Sequence, residues 1–292
     1  GDFDALPEAD VNFIPLDAED PAYLQYTSGS TSFPRGVEVT QEIVLNNLME
    51  IARYGLKLNA KDRCVSWLPF YHDMGLVGFI LAPMIGQLSV DYLSSRTFAM
   101  RPRLWLKLLS DNGGTISSAP TFGYALCAKR LRPYDVKGYD LSRWRAACVG
   151  AERINPEALQ SFADILKPCG FDQNAFAACY GMAECVLVTS FAPLGKGLNV
   201  DEVDRNLMAE TGEARPSNRD TIATSAYVDC GKLLPGFEFL ILDDDGNELD
   251  NRYCGHIYLK GPSVMRGYFK DEKSTADVLS DDGWLNTGDI GY

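Results

Sequence analysis

Tyr26-Thr27-Ser28-Gly29-Ser30-Thr31-Ser32-Phe33-Pro34-Arg35-Gly36 connects two runs with strand character, 22–26 and 37–40. The segment holds five aliphatic hydroxyl side chains, two glycines and one arginine. Glycine lets backbone N–H groups turn toward an anion, hydroxyl groups donate further hydrogen bonds, and the guanidinium keeps its charge at any working pH. The composition therefore suits polyphosphate, although a Ser/Thr-rich hairpin loop would have the same composition.

The spacing of this segment excludes a Walker phosphate loop. Gly-x-x-x-x-Gly-Lys-Ser/Thr begun at Gly29 would place a glycine, a lysine and a hydroxyl residue where Pro34, Arg35 and Gly36 stand. The segment instead resembles the phosphate loop of the adenylate-forming superfamily, which includes acyl-CoA synthetases, luciferases and peptide-synthetase adenylation domains. Its usual form there is Thr-Ser-Gly-Ser/Thr-Thr-Gly-x-Pro-Lys-Gly. Ser32 and Arg35 depart from that form, and both departures resemble the fatty acyl-AMP ligase branch.

The composition is that of an ordinary globular protein with an acidic excess. The 292 residues are 46% hydrophobic and 23% charged, and the net charge is −13. Such a charge repels nucleic acid and anionic membrane surfaces, so we expect no nucleic-acid partner. The sequence has no apolar run of about 18 residues, and we therefore expect no membrane insertion.

The cysteines and histidines do not form a metal-binding pattern. Eight cysteines are scattered without a Cys-x-x-Cys pair, and the chain has two histidines. Zinc-site spacing is therefore missing. Most of the cysteines lie in apolar runs such as 146–149, where reduced thiols behave as small core residues. This usage predicts a cytoplasmic protein.

Strands and helices alternate from the start of the glycine-rich segment to about residue 180. The alternation predicts an α/β fold with parallel-rich sheets flanked by helices. The predicted strands are 22–26, 37–40, 63–68, 88–93, 115–118, 144–150 and 175–180. The predicted helices are 40–56, 76–85, 103–109, 121–131 and 156–166.

These patterns divide the chain into three predicted parts. Residues 1–190 form an α/β subdomain for nucleotide and acyl binding, incomplete at its N-terminus. Residues 191–226 form a branch-specific polar insertion with a weak helical pattern at 203–208. Residues 227–292 are rich in short strands and turns, which predicts a small β-barrel-like subdomain ending at the superfamily's hinge. By this resemblance the C-terminal lysine-bearing domain is absent, so we expect substrate binding with little or no turnover.

Two further motifs resemble the superfamily's contacts to adenine and to the α-phosphate. Gly150-Ala151-Glu152 follows a predicted strand, where the family lines its adenine pocket. Tyr180-Gly181-Met182-Ala183-Glu184 is similar to Tyr-Gly-x-Thr/Ala-Glu, in which the tyrosine stacks on adenine, the backbone borders the α-phosphate and the glutamate holds Mg²⁺. Taken alone, the first motif would be a turn after a strand, and the glutamate of the second would be an acidic residue at a helix N-terminus.

A third motif resembles the superfamily's ribose contact. Thr287-Gly288-Asp289 is similar to Thr-Gly-Asp, whose aspartate accepts hydrogen bonds from both ribose hydroxyls. Residues 255–268 are similar to a structural strand pair and serve mainly to fix the register. The resemblance implies ATP as a substrate and Mg²⁺ as its metal ion. It implies nucleotide contacts at Thr27, Ser28, Gly29, Ser30, Thr31, Gly150, Ala151, Glu152, Tyr180, Gly181, Met182 and Asp289.

The resemblance also implies catalytic roles for His72, Arg35 and Glu184, with Glu184 as the metal ligand. His72 lies in Phe70-Tyr71-His72-Asp73, which matches the segment that borders the acyl carboxylate, and it would orient that carboxylate or shield the reacting oxygen. A histidine bonded to Asp73 or to nearby backbone is the alternative interpretation. The apolar helix 76–85 and the residues around Phe122 are candidate walls of an acyl tunnel.

The implied reaction is attack of a fatty carboxylate on the α-phosphorus of ATP, which gives acyl-adenylate and pyrophosphate. The polar stretch 196–226 falls where fatty acyl-AMP ligases carry an extra segment associated with refusing coenzyme A. The acyl group would then pass to an acyl carrier protein of a polyketide or peptide synthase. Two alternatives remain open: a fatty acyl-CoA ligase, and a nucleotide-binding module without catalysis.

Overall fold

The β-strands and helices are described for residues 14–27 and 34–292 of a computed structural model. The strands are β1 (Pro21–Tyr26), β2 (Gly36–Thr40), β3 (Arg63–Ser66), β4 (Ser89–Tyr92), β5 (Ile116–Ala119), β6 (Ala146–Val149), β7 (Phe176–Tyr180), β8 (Ser190–Phe191), β9 (Val200–Asp204), β10 (Thr224–Val228), β11 (Lys232–Leu233), β12 (Glu238–Leu242), β13 (Gly255–Lys260) and β14 (Leu285–Gly291). The α-helices are α1 (Gln41–Glu50), α2 (Asp73–Leu76), α3 (Ala82–Gly86), α4 (Ser95–Met100), α5 (Arg103–Asn112), α6 (Thr121–Arg130), α7 (Pro156–Leu166), α8 (Arg205–Thr211) and α9 (Glu272–Val278). Two π-helical turns follow α1 and α2, at Ile51–Gly55 and Val77–Leu81.

A sheet of seven described strands, in the order β11-β8-β7-β6-β5-β3-β4, forms the centre of the molecule. Strands β3 to β7 pair in parallel, and β8 and β11 continue the sheet antiparallel. All four residues of β5 and of β6 are buried, as expected for central strands covered by helices on both faces. The predicted α/β fold with a parallel-rich sheet is confirmed.

Helix α1 follows β2 directly and begins where the sequence predicts. The Thr40 side chain accepts a hydrogen bond from the Ile43 N–H at 3.4 Å, which caps the helix N-terminus. The helix continues as the π-helical turn Ile51–Gly55 and ends at Leu56, the predicted end. Its buried face anchors β2, the strand that follows the glycine-rich segment.

Removal of this cap should destabilise the fold modestly. Thr40→Ala is expected to lower the free energy of unfolding by about 1 kcal/mol, because an N–H at the helix start loses its acceptor. Urea denaturation measures the change, and Thr40→Ser is the matched control because it keeps the hydroxyl. Equal losses in the two variants would mean that the methyl group, and not the cap, carries the effect.

Aromatic side chains fill the space between the sheet and α5 to α7. Trp105 is fully buried, and its ring lies 5.2 Å from Trp144 and 5.4 Å from Tyr124, centre to centre. The Trp105 indole N–H donates to the Ser117 hydroxyl on β5 at 2.8 Å, so the one polar atom of the ring is satisfied. This packing fixes the helices against the strands that carry the site.

The predicted polar insertion contains an antiparallel strand pair, β9 and β10, with α8 between them. The helical pattern predicted at 203–208 is wrong at its start, because Val203 is a fully buried strand residue. The helix begins two residues later, at Arg205, where the Asp204 carboxylate accepts hydrogen bonds from two backbone N–H groups. The insertion is therefore ordered around a strand pair.

The last described strands, β12, β13 and β14, form a three-stranded antiparallel sheet. The predicted β-barrel-like subdomain is therefore not confirmed. Strand β11 lies in the predicted part 227–292 but pairs with β8 in the seven-stranded sheet. The seven-stranded sheet therefore extends across the predicted boundary at residue 227. Within residues 14–27 and 34–292, no helix is both long enough and apolar enough to cross a membrane.

Candidate active site

A cavity of about 650 Å³ opens at the carboxyl ends of the parallel strands. This edge is where α/β sheets usually bind ligands, because the loops after the strands converge there. Residues that follow β3, β6 and β7 line the cavity, and so do Thr27 and Pro34, the flanks of segment 28–33. The predicted phosphate contacts Ser28, Gly29, Ser30 and Thr31 lie outside the described residues, and Thr27 is the described member of that set.

Thr27 and Arg35 close the base of segment 28–33. The Thr27 N–H donates to the Arg35 carbonyl oxygen at 2.9 Å, and the Arg35 N–H donates to the Thr27 hydroxyl at 3.2 Å. The Arg35 guanidinium is not part of the described cavity lining but lies 5.1 Å from the centre of the Tyr268 ring. This is a cation–π contact, and a catalytic role for Arg35 stays a prediction.

The predicted adenine-side residues lie along one wall of the cavity, except for Glu152. Gly150, Ala151, Gly181 and Met182 line this wall. Gly181 leaves no room for a side chain, because a Cβ there would lie 1.8 Å from a backbone carbonyl oxygen. The Glu152 carboxylate is exposed and accepts a hydrogen bond from the first turn of α6 at 2.7 Å. The wall is therefore mostly backbone, which suits a flat ring that approaches closely.

Tyr180 and Asp289 meet at the edge of this wall although 109 residues separate them. The Tyr180 hydroxyl donates to the Asp289 Oδ2 at 2.7 Å. Burial raises the pKa of Tyr180 well above its ordinary value, and Asp289 adds to the rise, so the hydroxyl remains a donor. The contact holds an exposed carboxylate of β14 beside the ring predicted to stack on adenine.

Glu184 lines the cavity from the short 3₁₀ turn after β7. Its Oε1 accepts a hydrogen bond from the Tyr268 hydroxyl at 2.8 Å. Burial, and then the charge of Glu184, raise the pKa of Tyr268 to about 12. The predicted metal carboxylate is thus held from one side by a buried tyrosine.

Glu184 fits the Mg²⁺ that the sequence implies. In the described residues no group of three or more His, Cys, Asp or Glu side chains is placed to hold a metal alone. Mg²⁺ usually binds one or two carboxylates together with substrate phosphates and water. Two carboxylates line the described cavity, and Asp73 is paired with His72, so Glu184 is left to match that donor set beside the flanks of segment 28–33. Glu184 therefore suits a metal ion that arrives with a nucleotide.

His72 lines the cavity at the start of α2 and is paired with Asp73. Its Nδ1 lies 2.6 Å from the Asp73 Oδ1, and a carboxylate can only accept, so Nδ1 carries the proton. The backbone nitrogen of Met74 lies 3.3 Å from Nδ1, but a protonated Nδ1 has no lone pair with which to accept its N–H. The Met74 N–H donates instead to the Asp73 Oδ1 at 2.6 Å. The ring is therefore oriented with Nε2 as its remaining polar atom.

The pH dependence of the His72 pair can be measured by NMR. The hydrogen bond to Asp73 raises the pKa of His72 above the ordinary imidazole value of about 6.5, against the opposing effect of burial. The stabilisation from this pair is complete below the ordinary value and disappears as pH rises through the raised pKa. In Asp73→Asn the His72 pKa should fall toward the ordinary value, with His256 as internal reference. An unchanged pKa in the variant would contradict the pairing.

Apolar side chains line the cavity beside the two π-helical turns. Leu76 and Phe79 contribute from the predicted helix 76–85, and Ile51 and Leu56 contribute from the other turn. Such turns are frequent at functional sites. Phe122 does not line this cavity and packs edge-on against Trp67, at 5.9 Å between ring centres, so a tunnel wall around Phe122 stays a prediction.

Sequence reasoning missed one tyrosine of the site. Tyr268 falls in a segment used only for register, yet it contacts Glu184 and Arg35. This position has no local sequence signal, because it acts through contacts with distant segments.

Known structures share this fold over nearly the whole chain. A structure from a study of fatty acyl-adenylate ligases from E. coli and L. pneumophila superimposes with a TM-score of 0.93 and 51% identity, covering 99% of this chain and 52% of that one. The fatty acyl-adenylate ligase from L. pneumophila in complex with acyl adenylate and pyrophosphate superimposes with a TM-score of 0.90 and 32% identity, covering 96% and 50%. The fold is that of the adenylate-forming enzymes.

Sequence comparison agrees with this class. The chain belongs to the AMP-binding enzyme family, whose sequence profile matches residues 3–269. A candidate acyl-CoA synthetase of Caulobacter vibrioides is 44% identical over 98% of this chain and 50% of its own length. The chain spans about half the length of the curated relatives it matches.

Proposed function

We propose that the protein activates a fatty acid as its acyl-adenylate, with release of pyrophosphate, and that the acyl group passes to an acyl carrier protein of a polyketide or peptide synthase. One observation carries the proposal: the same cavity is lined by the predicted nucleotide contact Tyr180, by the predicted metal ligand Glu184 and by apolar side chains such as Leu76 and Leu187. The similar ligase that holds acyl adenylate and pyrophosphate supports it. We propose ATP as the substrate, Mg²⁺ as its metal ion and the cytoplasm as the location.

The proposed reaction joins a carboxylate oxygen of the fatty acid to the α-phosphorus of ATP and breaks the bond from that phosphorus to pyrophosphate. Such a transfer asks little covalent work of the protein, so positioning and charge neutralisation provide the rate. Asp289 and Tyr180 fix the nucleoside, and residues 27–31 bind the departing pyrophosphate. When held at Glu184, Mg²⁺ supplies positive charge to the phosphates.

His72 orients the acyl carboxylate in this proposal. Because Asp73 occupies Nδ1–H, the Nε2 atom is left for the substrate. When the ring is protonated, Nε2–H donates to one carboxylate oxygen and leaves the other oxygen to attack. No proton transfer is needed, because a fatty carboxylate is already ionised at neutral pH.

The insertion is the element proposed to direct the acyl group to a carrier protein. It is tied to the β-rich part of the chain, because Arg252 donates to the Ala214 carbonyl at 2.7 Å and to the Asp201 carboxylate at 2.9 Å. The residues that flank its strand pair β9 and β10 meet, since the Asp229 N–H donates to the Asn199 carbonyl at 2.9 Å. Residues 200–228 can therefore be excised between two neighbouring backbone positions.

Calorimetric titration with non-hydrolysable acyl sulfamates of adenosine tests the proposed function. Acetyl, hexanoyl and dodecanoyl analogues share the nucleoside and differ in apolar length. Each buried CH₂ contributes about 0.8 kcal/mol, so affinity should rise roughly tenfold for every two methylenes until the cavity is filled. Equal affinity for the acetyl and dodecanoyl analogues would contradict a fatty acid substrate, and no binding of any analogue would contradict adenylation.

A fatty acyl-CoA ligase is the second candidate, and the Caulobacter relative favours it. Replacing residues 200–228 with a short glycine linker tests the choice, with preformed acyl-adenylate and coenzyme A as reactants. Acyl-CoA formed only by the shortened protein would support a blocking insertion. If the intact protein forms as much acyl-CoA as the shortened protein, the result would favour the coenzyme A ligase. If neither protein forms acyl-CoA, the result would count against a blocking role of the insertion.

A further inference from the structure

Tyr268 connects the predicted metal carboxylate with the exit of the predicted phosphate loop. Its hydroxyl donates to the Glu184 Oε1 at 2.8 Å, and its ring faces the Arg35 guanidinium at 5.1 Å. The side chain is 8% exposed, so both contacts are made in a largely dry environment. Hydrogen bonds to a charged acceptor are the stronger kind, and burial limits competition from water.

The backbone around Tyr268 is attached to the same two elements. The Phe269 N–H donates to the Gly36 carbonyl at 2.8 Å, next to Arg35 and at the start of β2. The Met265 N–H donates to the Glu184 carbonyl at 2.7 Å. The segment is thus fixed on both sides of the tyrosine, and the hydroxyl is held in one place relative to the carboxylate.

We propose that Tyr268 is a positioning residue that orients Glu184 for its metal ion, an inference that rests on the proposed function. The hydroxyl engages Oε1 and leaves Oε2 to face a cation. Mg²⁺ demands near-ideal octahedral geometry, so a carboxylate held in one orientation binds it better than a freely rotating one. Loss of a partner that orients a metal ligand typically weakens metal affinity or activity by about 10 to 100-fold.

Tyr268→Phe tests the proposal because it removes the hydroxyl and keeps the ring beside Arg35. Calorimetric titration of the 292-residue chain with ATP and Mg²⁺ should give binding at least about tenfold weaker than wild type. Titration with ATP in the presence of a chelator should give the wild-type affinity. Tyr258→Phe is the matched control, because its hydroxyl accepts a hydrogen bond from Asn286 at 3.0 Å and lies outside the cavity lining.

Three results would overturn the proposal. The first is that Tyr268→Phe binds ATP with Mg²⁺ as tightly as the wild type does. The second is that the substitution weakens ATP binding by the same factor with and without Mg²⁺, which a purely structural role of Tyr268 would cause. The third comes from a Glu184→Gln background, where Tyr268→Phe should cause no further loss, so additive losses would contradict action through Glu184. A wild-type chain that binds ATP under neither condition would refute the proposed function itself, and the metal-directed role with it.

Discussion

Asp289→Asn is expected to weaken ATP binding by about 100-fold. The carboxylate of Asp289 is held by the Tyr180 hydroxyl at 2.7 Å, which leaves it oriented to accept hydrogen bonds from a vicinal diol. An asparagine amide has one acceptor oxygen and no charge. Each hydrogen bond to a charged group contributes about 1.5–3 kcal/mol, so the combined loss is roughly 3 kcal/mol. Calorimetric titration with ATP measures it.

Ribose-modified nucleotides identify the cause of that loss. Wild-type protein should bind 2′,3′-dideoxy-ATP about as weakly as the variant binds ATP, and Asp289→Asn should lose nothing more with the dideoxy nucleotide. Asp281→Asn is the matched control, because this exposed aspartate precedes the same strand, β14. If dideoxy-ATP binds the wild type as tightly as ATP does, the ribose role of Asp289 is wrong.

Trp105→Ala should lower the free energy of unfolding by about 3–5 kcal/mol. The side chain is fully buried among aromatic neighbours, so its removal leaves a cavity that rigid rings cannot collapse to fill. The substitution also removes the indole donor that binds the Ser117 hydroxyl at 2.8 Å. Urea denaturation measures the loss as a lower transition midpoint with an unchanged slope.

Tyr134→Ala is the control for this substitution, because Tyr134 is an aromatic residue that is 66% exposed. Its effect should stay within about 0.5 kcal/mol, as for most surface substitutions. A Trp105→Ala effect as small as that of the control would mean that the aromatic cluster does not stabilise the helices against the sheet.

The parallel sheet could be predicted from the sequence because its strands are short apolar runs separated by helical patterns. Helix α4 was missed, since of its six residues only Phe98 is buried and the helix depends on a Ser94 cap. The pattern at 203–208 misled because a single buried residue, Val203, cannot distinguish the end of a strand from the start of a helix. Hydrophobic periodicity therefore does not identify such short helices and strands.

The candidate site could be located because its motifs resemble those of the adenylate-forming superfamily, and the motifs after β3, β6 and β7 meet at one edge of the sheet. The direction of long side chains could not be predicted in the same way. Arg35 belongs to the segment whose composition suits polyphosphate, and the structure places its guanidinium over the Tyr268 ring. The contact between Tyr268 and Glu184 depends on backbone pairing between segments 84 residues apart, which no local pattern encodes.

The Tyr180–Asp289 contact also bears on how the protein is made. The two residues lie 109 positions apart, so at a synthesis rate of about 5–20 residues per second the aspartate is added roughly 5–20 s after the tyrosine. During that interval the growing chain lacks the carboxylate that accepts the Tyr180 hydrogen bond. Under the proposed function, nucleotide can therefore gain its contact with Asp289 only after β14 has been synthesised.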